Sequence, residues 1–346
     1  MIPVTDPTSA AGDPGMPSLA FALDPAQTQR VLARFGSCLV GGEGTVRLQA
    51  IRVTRHKPGR RCVVEYDLEV EHARAGRERL TLIGKVRAGR YGLAGYQLLR
   101  AFREVGFAED SPDGISVPEP VGTVSRFRMW LQHKVEGSVA SDLLAGPRGV
   151  ALACRIAEAA HKVHLAGVSP ERYHLMADEL RILHESLETV ARLEPRWAAR
   201  IASLLKACDA LGAAVPEPEL LGIHRDFYGD QVIVAGSRVY LLDFDLYCLG
   251  DAALDIGNFL GHVTEQSLRT LGDPGALADV ERALEDRFIE LTEERLRASV
   301  RAYAALTLVR HVYLSTLFEE RRPLTGPLLA LGEDRLGILA HEIRSL

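Results

Sequence analysis

Cysteine is scarce in this 346-residue chain, and the five cysteines follow no metal-binding or disulfide pattern. They are odd in number, widely spaced and never arranged as CxxC, which argues against a zinc site or a disulfide scaffold. We therefore expect free thiols in a reducing compartment. The five residues are Cys38, Cys62, Cys154, Cys208 and Cys248.

Long apolar runs and a basic leader are also missing. No stretch approaches the roughly 18 apolar residues that a membrane span needs. No Lys or Arg precedes Arg30, so no signal peptide is apparent. The formal net charge of -5 gives no basis for binding nucleic acid or an anionic membrane. We expect a cytoplasmic protein whose partners include neither nucleic acid nor a membrane.

Lysine is the third scarce residue, with five copies against 36 arginines. Lys85 stands out because it lies in an apolar, strand-like context, TLIGKV. A half-buried ammonium group needs an anionic partner, and a nucleotide phosphate is one candidate. The alternative is a lysine at the edge of a sheet whose head group reaches solvent.

A short basic turn follows the first strand-like run. It is not a GxGxxG loop, but Lys57, Arg60 and the backbone amides around Gly59 could cover phosphates through charge and hydrogen bonding. The alternative is a basic turn that is merely solvated.

The order of apolar patterns predicts an α+β chain, with a small β-rich lobe followed by a mainly helical lobe. We expect a proline-rich flexible tail at residues 1–25, an N-terminal nucleotide-binding lobe at 26–132 and a helical C-terminal lobe at 133–346. Five strands of an antiparallel sheet are expected at 47–54, 61–70, 80–86, 117–124 and 126–131. Helices are expected at 26–39, 91–104, 149–166, 170–187, 195–211 and from 254 onward.

The segment from Ile223 to Asp245, IHRDFYGDQVIVAGSRVYLLDFD, carries the main chemical signal. It places Asp226 in a His-Arg-Asp tripeptide, Gln231 five residues on, and Asp243 and Asp245 after two short β-rich runs. Phosphoryl transfer needs a carboxylate that orients the attacking hydroxyl, together with oxygen ligands for magnesium. This segment contains both. The alternative is a polar loop that leads into an ordinary surface hairpin.

The two β-rich runs predict a hairpin around a short turn. If the turn centres on Ser237, Gln231 and Asp243 are equally distant from it and face each other, with Cβ atoms roughly 5 Å apart. Asp245 points to the same face as Asp243 if the strand continues. Gln231, Asp243 and Asp245 are therefore the candidate metal ligands.

Four nearby residues are interpreted as structural. We expect Asp251 to cap the helix that contains Asp255, and Asp255 to accept hydrogen bonds from loop amides. His164 and His224 are expected to pack or to form hydrogen bonds rather than to move protons, with His224 bracing the loop that carries Asp226.

From about Val46 to its C-terminus the chain resembles the aminoglycoside phosphotransferase and choline kinase-like group of small-molecule kinases. Lys85 matches the family's phosphate-binding lysine, and Asp226 matches its catalytic aspartate. Gln231 stands where the family has a metal-binding asparagine, and Asp243 matches its metal-binding aspartate. The resemblance implies a two-lobed protein-kinase-like fold, Mg²⁺, ATP or GTP as cosubstrate, and transfer of the γ-phosphate to a hydroxyl of a small molecule.

Weaker matches support the same family. Gln132, just past the last predicted strand, resembles part of the hinge that meets the nucleotide base. Asp255 matches an aspartate that ties the helical lobe to the catalytic loop, and the helix ending in His164 resembles a family helix that ends in Leu-His. Only eleven residues separate Asp243 from Asp255, too few for the activation segment of a protein kinase. The expected acceptor is therefore a small molecule, and the resemblance implies an aminoglycoside, a sugar or an amino-alcohol.

The first departure from the family concerns magnesium. Gln231 replaces asparagine, which moves the amide oxygen a methylene group farther out. Magnesium requires near-octahedral geometry, so Gln231 either binds it through a water or leaves the second metal site to Asp245 or Asp230.

The second departure concerns the lysine. The helix expected to hold its glutamate partner contains one acid, Glu104, at its far end, and Gly95 falls roughly where the family has glutamate. That ion pair is either absent or replaced by a bond to Gln97. The two departures support an alternative hypothesis, a catalytically weak or inactive nucleotide-binding pseudokinase with a regulatory role.

Overall fold

A computed structural model of the chain describes residues 1–36, 39, 44–72, 76–89, 93–170 and 172–345. Cys38 and the first two residues of the helix expected at 91–104 lie outside those ranges. The chain divides into two compact units, Met1–Glu136 and Gly137–Leu346. No helix in the described residues is long and apolar enough to cross a membrane.

A mostly antiparallel sheet forms the first unit. Its strands and helices are β1 (Val4–Thr5), α1 (Leu19–Ala22), α2 (Pro25–Leu32), β2 (Gly44–Lys57), β3 (Arg61–His72), β4 (Gly76–Arg87), α3 (Leu93–Phe102), β5 (Ile115–Ser116), β6 (Pro120–Val124) and β7 (Met129–His133). The strand order is β1-β2-β3-β4-β7-β6, with β1 parallel to β2 and the other neighbours antiparallel. The five predicted strands are thus confirmed, although the last two begin three residues later than predicted, at Pro120 and Met129. β1 adds an unpredicted edge.

Burial alternates along the central strands, so the sheet has one apolar and one more polar face. On β3 the inward residues are at most 1% exposed, and these are Cys62, Val64, Tyr66, Leu68 and Val70. On β4, Leu82 and Val86 are buried, and Lys85 lies between them on the opposite face. Because β4 is flanked by β3 and β7, Lys85 is not at a sheet edge, and the edge-lysine alternative is wrong.

The flexible tail predicted for residues 1–25 is also wrong. This segment supplies β1 and α1, and Leu19 and Ala22 are 0% exposed in the core cluster on the apolar face of the sheet. Asp13 accepts a hydrogen bond from the backbone N–H of Gly59, with an N···O distance of 2.8 Å. The prolines shorten the regular elements, but the apolar residues between them have a surface on which to pack.

The second unit is mainly helical. Its elements are β8 (Ser138–Val139), α4 (Ala140–Leu143), α5 (Gly149–His164), β9 (Tyr173–His174), α6 (Met176–Leu193), α7 (Ala198–Ala214), β10 (Leu220–Ile223), β11 (Val232–Ala235), β12 (Arg238–Leu241), β13 (Cys248–Asp251), α8 (Ala252–Leu271), α9 (Ala278–Leu291), α10 (Leu296–Thr316) and α11 (Thr325–Ser345). β13 lies between β10 and β9, and the β11–β12 hairpin is flanked by β8. α8, which is buried along most of its length, begins after Asp251, whose side chain accepts a hydrogen bond from Ala253 N–H as predicted.

Replacement of Leu19 by alanine tests whether the N-terminal segment belongs to the core. Leu19→Ala should lower the free energy of unfolding of the first unit by about 2–5 kcal/mol, because the segment cannot fully fill the cavity. The matched control is Val4→Ala at a 41% exposed position, expected to change it by less than about 0.5 kcal/mol. Urea unfolding measures both, and equal stability of the two variants would show that residues 1–25 do not support the core.

Candidate active site

The loop that carries Asp226 has an unusual backbone. It follows β10, and Arg225 has φ +70°, in the left-handed region that side chains other than glycine rarely adopt. Asp226 itself is half-buried. A backbone conformation of this kind persists only where its surroundings fix it.

The group that fixes the loop is Asp255, which is 0% exposed near the start of α8. One carboxylate oxygen accepts a hydrogen bond from Arg225 N–H at 2.7 Å. The other accepts from His224 N–H at 2.8 Å and lies 3.0 Å from His164 Nε2. The predicted structural roles of Asp255 and His164 are therefore confirmed.

A second anchor, which the sequence interpretation missed, lies one helical turn further along α8. Asn258 Nδ2 donates to the Phe227 carbonyl at 2.9 Å, and Asn258 Oδ1 accepts from Arg310 Nη2 at 2.5 Å. Asp255 and Asn258 share one helix face because they are three residues apart. The signal for this pair was the D-x-x-N spacing after the Asp-Phe-Asp segment.

Arg310 extends this network into the helical core. It lies 3.5 Å from Glu179, whose carboxylate also lies 2.5 Å from His174 Nε2. Burial alone would raise the pKa of Glu179, but the hydrogen bond from His174 and the charge of Arg310 outweigh it and hold that pKa below its ordinary value. Glu179 therefore stays ionised and holds Arg310 in place beside Asn258.

The rest of the loop is attached to its neighbours at two points. His224 Nε2 lies 2.7 Å from the Leu242 carbonyl oxygen, which confirms His224 as a brace between loop and hairpin. A Cβ atom at Gly229 would lie 2.9 Å from the backbone N of Ser141, so only glycine permits this approach to α4. Ser141 Oγ in turn donates to Asp230 at 2.5 Å.

The hairpin forms as predicted, but its register differs by one residue. The turn centres between Gly236 and Ser237, not on Ser237, because Ala235 pairs with Arg238. Leu242 N–H donates to the Gln231 carbonyl at 2.8 Å, so Leu242, not Asp243, is opposite Gln231. The prediction that Gln231 and Asp243 face each other is therefore wrong, since a shift of one residue in register reverses the face that a side chain occupies.

The strand also ends sooner than predicted. Asp243 has φ +56°, and Phe244–Leu246 form a 3₁₀ turn. Asp245 therefore does not share a strand face with Asp243, and the alternation argument for it is wrong. The Asp245 carbonyl oxygen accepts a hydrogen bond from Arg172 Nη2 at 2.8 Å.

Gln231 and Asp243 nevertheless have the chemistry that magnesium requires. Gln231 is 7% exposed, and its Nε2 donates to Tyr228 Oη at 3.3 Å, so its amide oxygen points away from that bond. Asp243 Oδ1 is buried. No group of three His, Cys, Asp or Glu side chains in the described residues is placed to hold a metal. Magnesium that shares its ligands with nucleotide phosphates needs only one or two protein carboxylates, and this donor set fits.

Tyr228 is held by an aromatic stack. Its ring stacks on His262 with centroids 4.5 Å apart, and His262 meets His311 edge-on at 4.5 Å. Burial, reinforced by the charge of Arg310, lowers the pKa of His311 to about 3, and burial followed by the influence of His311 lowers the pKa of His262 well below its usual range. Both rings are therefore neutral at ordinary pH.

The predicted nucleotide-binding residues lie in the first unit. Lys85 on β4 pairs with Trp130 on β7, and Gln132 follows on the same strand, 5% exposed. The prediction that Gln132 lies just past the last strand is wrong, because Gln132 lies within β7. The strand begins later than predicted, after a 3₁₀ turn at Ser125–Phe127, and continues to His133.

The basic turn keeps its charges exposed but not its amides. Lys57 and Arg60 are exposed. Gly59 N–H donates to Asp13, however, and Arg60 N–H donates to the Lys57 carbonyl at 3.0 Å. The hydrogen bonds from Gly59 and His56 hold the pKa of Asp13 below its ordinary value. The expectation that these backbone amides cover phosphates is therefore wrong.

Comparison with known proteins gives the family. The sequence profile of the phosphotransferase enzyme family, APH, matches residues 95–303, more than half of the chain. The chain belongs to the phosphotransferase enzyme family. No curated protein sequence matches it.

Solved structures of other phosphotransferases share the fold of this family member. A choline/ethanolamine kinase family protein from Mesorhizobium loti is 14% identical, with a TM-score of 0.55 over 81% of this chain and 90% of that one. A thermostable mutant of aminoglycoside phosphotransferase APH(4)-Ia, in complex with AMP-PNP and hygromycin B, is 15% identical, with a TM-score of 0.53 over 91% and 98%. Choline kinase LicA from Streptococcus pneumoniae is 11% identical, with a TM-score of 0.51 over 92% and 99%. The phosphotransferase has the expected α+β, protein-kinase-like fold.

Substitution of Asp255 tests whether it fixes the loop. Asp255→Asn should lower the free energy of unfolding by about 2–3 kcal/mol, because the amide replaces a charged acceptor and turns an N–H group toward a backbone N–H. The control is Asp334→Asn at an exposed position of α11, expected to change it by less than about 0.5 kcal/mol. Chemical denaturation gives both values, and hydrogen exchange at Arg225 should accelerate only in Asp255→Asn. Unchanged exchange at Arg225 would contradict the anchor.

Proposed function

We propose that this phosphotransferase moves the γ-phosphate of ATP or GTP to a hydroxyl of a small molecule. The observation that carries the proposal is the fixed conformation of the loop around Asp226. Asp255 and Asn258 hold this loop through hydrogen bonds to its backbone. A loop anchored through its backbone leaves the carboxylate of Asp226 to act on a substrate.

In the proposed mechanism Asp226 orients the acceptor hydroxyl and accepts its proton as the new P–O bond forms. Positioning is the main contribution, because phosphoryl transfer requires little covalent chemistry from the protein. The rigid backbone at Arg225 favours a single orientation of the carboxylate. Half-burial of Asp226 leaves it accessible to an acceptor.

Charge neutralisation is the second contribution. Lys85 is proposed to bind the α- and β-phosphates, with Lys57 and Arg60 adding positive charge and Gln132 meeting the base. Gln231 and Asp243 would hold Mg²⁺, which supplies charge stabilisation at the phosphate oxygens.

The proposed acceptor is of aminoglycoside, sugar or amino-alcohol type. Structural relatives include proteins described as choline and ethanolamine kinases and one complexed with hygromycin B. The short run from Asp243 to Asp255 supports a small acceptor over a protein. The described cysteines are free thiols, which supports the proposed cytoplasmic location.

Removal of the Asp226 carboxylate tests the proposed base. Asp226→Ala should reduce phosphate transfer, to an acceptor or to water, by about 10²–10⁴-fold while nucleotide binding is retained. Asp279→Ala, at a side chain 81% exposed in α9, is the control and should retain transfer. Turnover and nucleotide-induced thermal shift are measured on each variant. Wild-type turnover in Asp226→Ala would exclude the assignment.

The metal assignment has its own test. AMP-PNP should stabilise Asp243→Asn only at a Mg²⁺ concentration about tenfold or more above that needed by the wild type. The reason is that loss of even a hydrogen-bond partner of a metal ligand lowers metal affinity by about tenfold or more. Asp245→Asn should have the smaller effect, because Asp245 lies beyond the end of the strand in a 3₁₀ turn. Thermal shift over a Mg²⁺ series gives both midpoints. A larger effect in Asp245→Asn would reverse the assignment.

A further inference from the structure

Lys85 has an aromatic neighbour in the first unit. Its Nζ lies 5.2 Å from the centroid of the Trp130 ring, within the roughly 6 Å range of a cation–π interaction. The two residues are directly paired between β4 and β7, so their side chains share one face of the sheet. Trp130 is 5% exposed, and so its indole is fixed in place.

Gly95 on α3 lies against the same indole. A Cβ atom built at Gly95 would lie 3.2 Å from Cζ2 and Nε1 of Trp130 and 3.3 Å from Cε2. Any side chain at this position would therefore require the ring to shift by a few tenths of an ångström. The close approach of the indole gives a physical reason why this position holds glycine.

The other residues of α3 do not supply the carboxylate. Glu104 is the only acid between residues 91 and 104, and it lies beyond the end of α3, 3.3 Å from Arg100. Gln97, considered as a substitute partner, is exposed. The residue of α3 that lies against Trp130 is Gly95, which leaves room for the indole.

We propose that Trp130 is a positioning residue for Lys85, whose ammonium group it holds against the face of its indole. This inference rests on the proposed function, in which Lys85 binds nucleotide phosphates. The indole restricts the lysine's rotamers without neutralising its charge, because the attraction is to the ring quadrupole. The strand β7 therefore orients Lys85, and nucleotide affinity does not depend on an acid in α3.

Nucleotide binding to the full chain tests the proposal. Trp130→Leu should weaken Mg·AMP-PNP binding by about 3- to 30-fold, the range of a cation–π contact, while Trp130→Phe should lose less because a ring face remains. The control is Phe127→Leu, which also removes a buried aromatic residue, 1% exposed, and should bind as wild type. Calorimetry gives the affinities.

A double-mutant cycle separates positioning from a merely structural role. In a Lys85→Met background, Trp130→Leu should cause no further loss of affinity, since its effect acts through the lysine. An equal loss in both backgrounds, or wild-type affinity in Trp130→Leu, would overturn the inference while leaving the proposed function intact. Failure of wild-type protein to bind nucleotide would overturn both.

Fluorescence provides a readout that leaves Trp130 in place. The chain has two tryptophans, so Trp197→Phe leaves emission from Trp130 alone. In that variant Lys85→Met should shift the emission of Trp130 and abolish the change induced by Mg·AMP-PNP. Emission that is indifferent to both Lys85→Met and nucleotide would contradict contact between the ammonium and the indole, even if Trp130→Leu fails to fold.

Discussion

One buried carboxylate determines the geometry of the candidate active site. Asp255 accepts backbone hydrogen bonds from His224 and Arg225, and this holds Arg225 in a left-handed conformation that its side chain disfavours. Asp226, the proposed base, comes next in the chain. Its orientation is therefore set from α8, by a residue that need not touch any substrate.

On the sheet of the first unit, a neighbouring side chain likewise orients a candidate functional residue. Lys85 lies in the interior of an apolar strand, and its neighbour is an indole for which Gly95 leaves room. When only the sequence is considered, the absence of a glutamate from α3 suggests a loss of function. The packing of Trp130 offers another way to restrict the same ammonium group. A glycine in α3 is therefore compatible with the proposed role of Lys85 in nucleotide binding.

The sequence was sufficient to predict the role of buried polar residues, because such residues must form hydrogen bonds. Asp255, His164 and His224 were expected as structural hydrogen-bonding residues, and each forms those bonds. The sequence was not sufficient to predict which side chains face each other in the hairpin, because that depends on small differences in backbone geometry. A turn centred half a residue earlier than Ser237 removed the facing pair, and the left-handed conformation of Asp243 ended the strand. The partners of Asn258 and Trp130 could not be predicted, because they depend on how distant segments pack.

The most direct test of the account is product analysis. Purified protein is incubated with Mg·ATP, and in parallel Mg·GTP, against a panel of amino-alcohols, sugars and aminoglycosides, and each mixture is analysed by mass spectrometry. The account predicts one acceptor class that gains a phosphoryl group with equimolar release of nucleoside diphosphate. Magnesium-dependent stabilisation by nucleotide with no transfer to any acceptor or to water would contradict it, and would identify the chain as a pseudokinase.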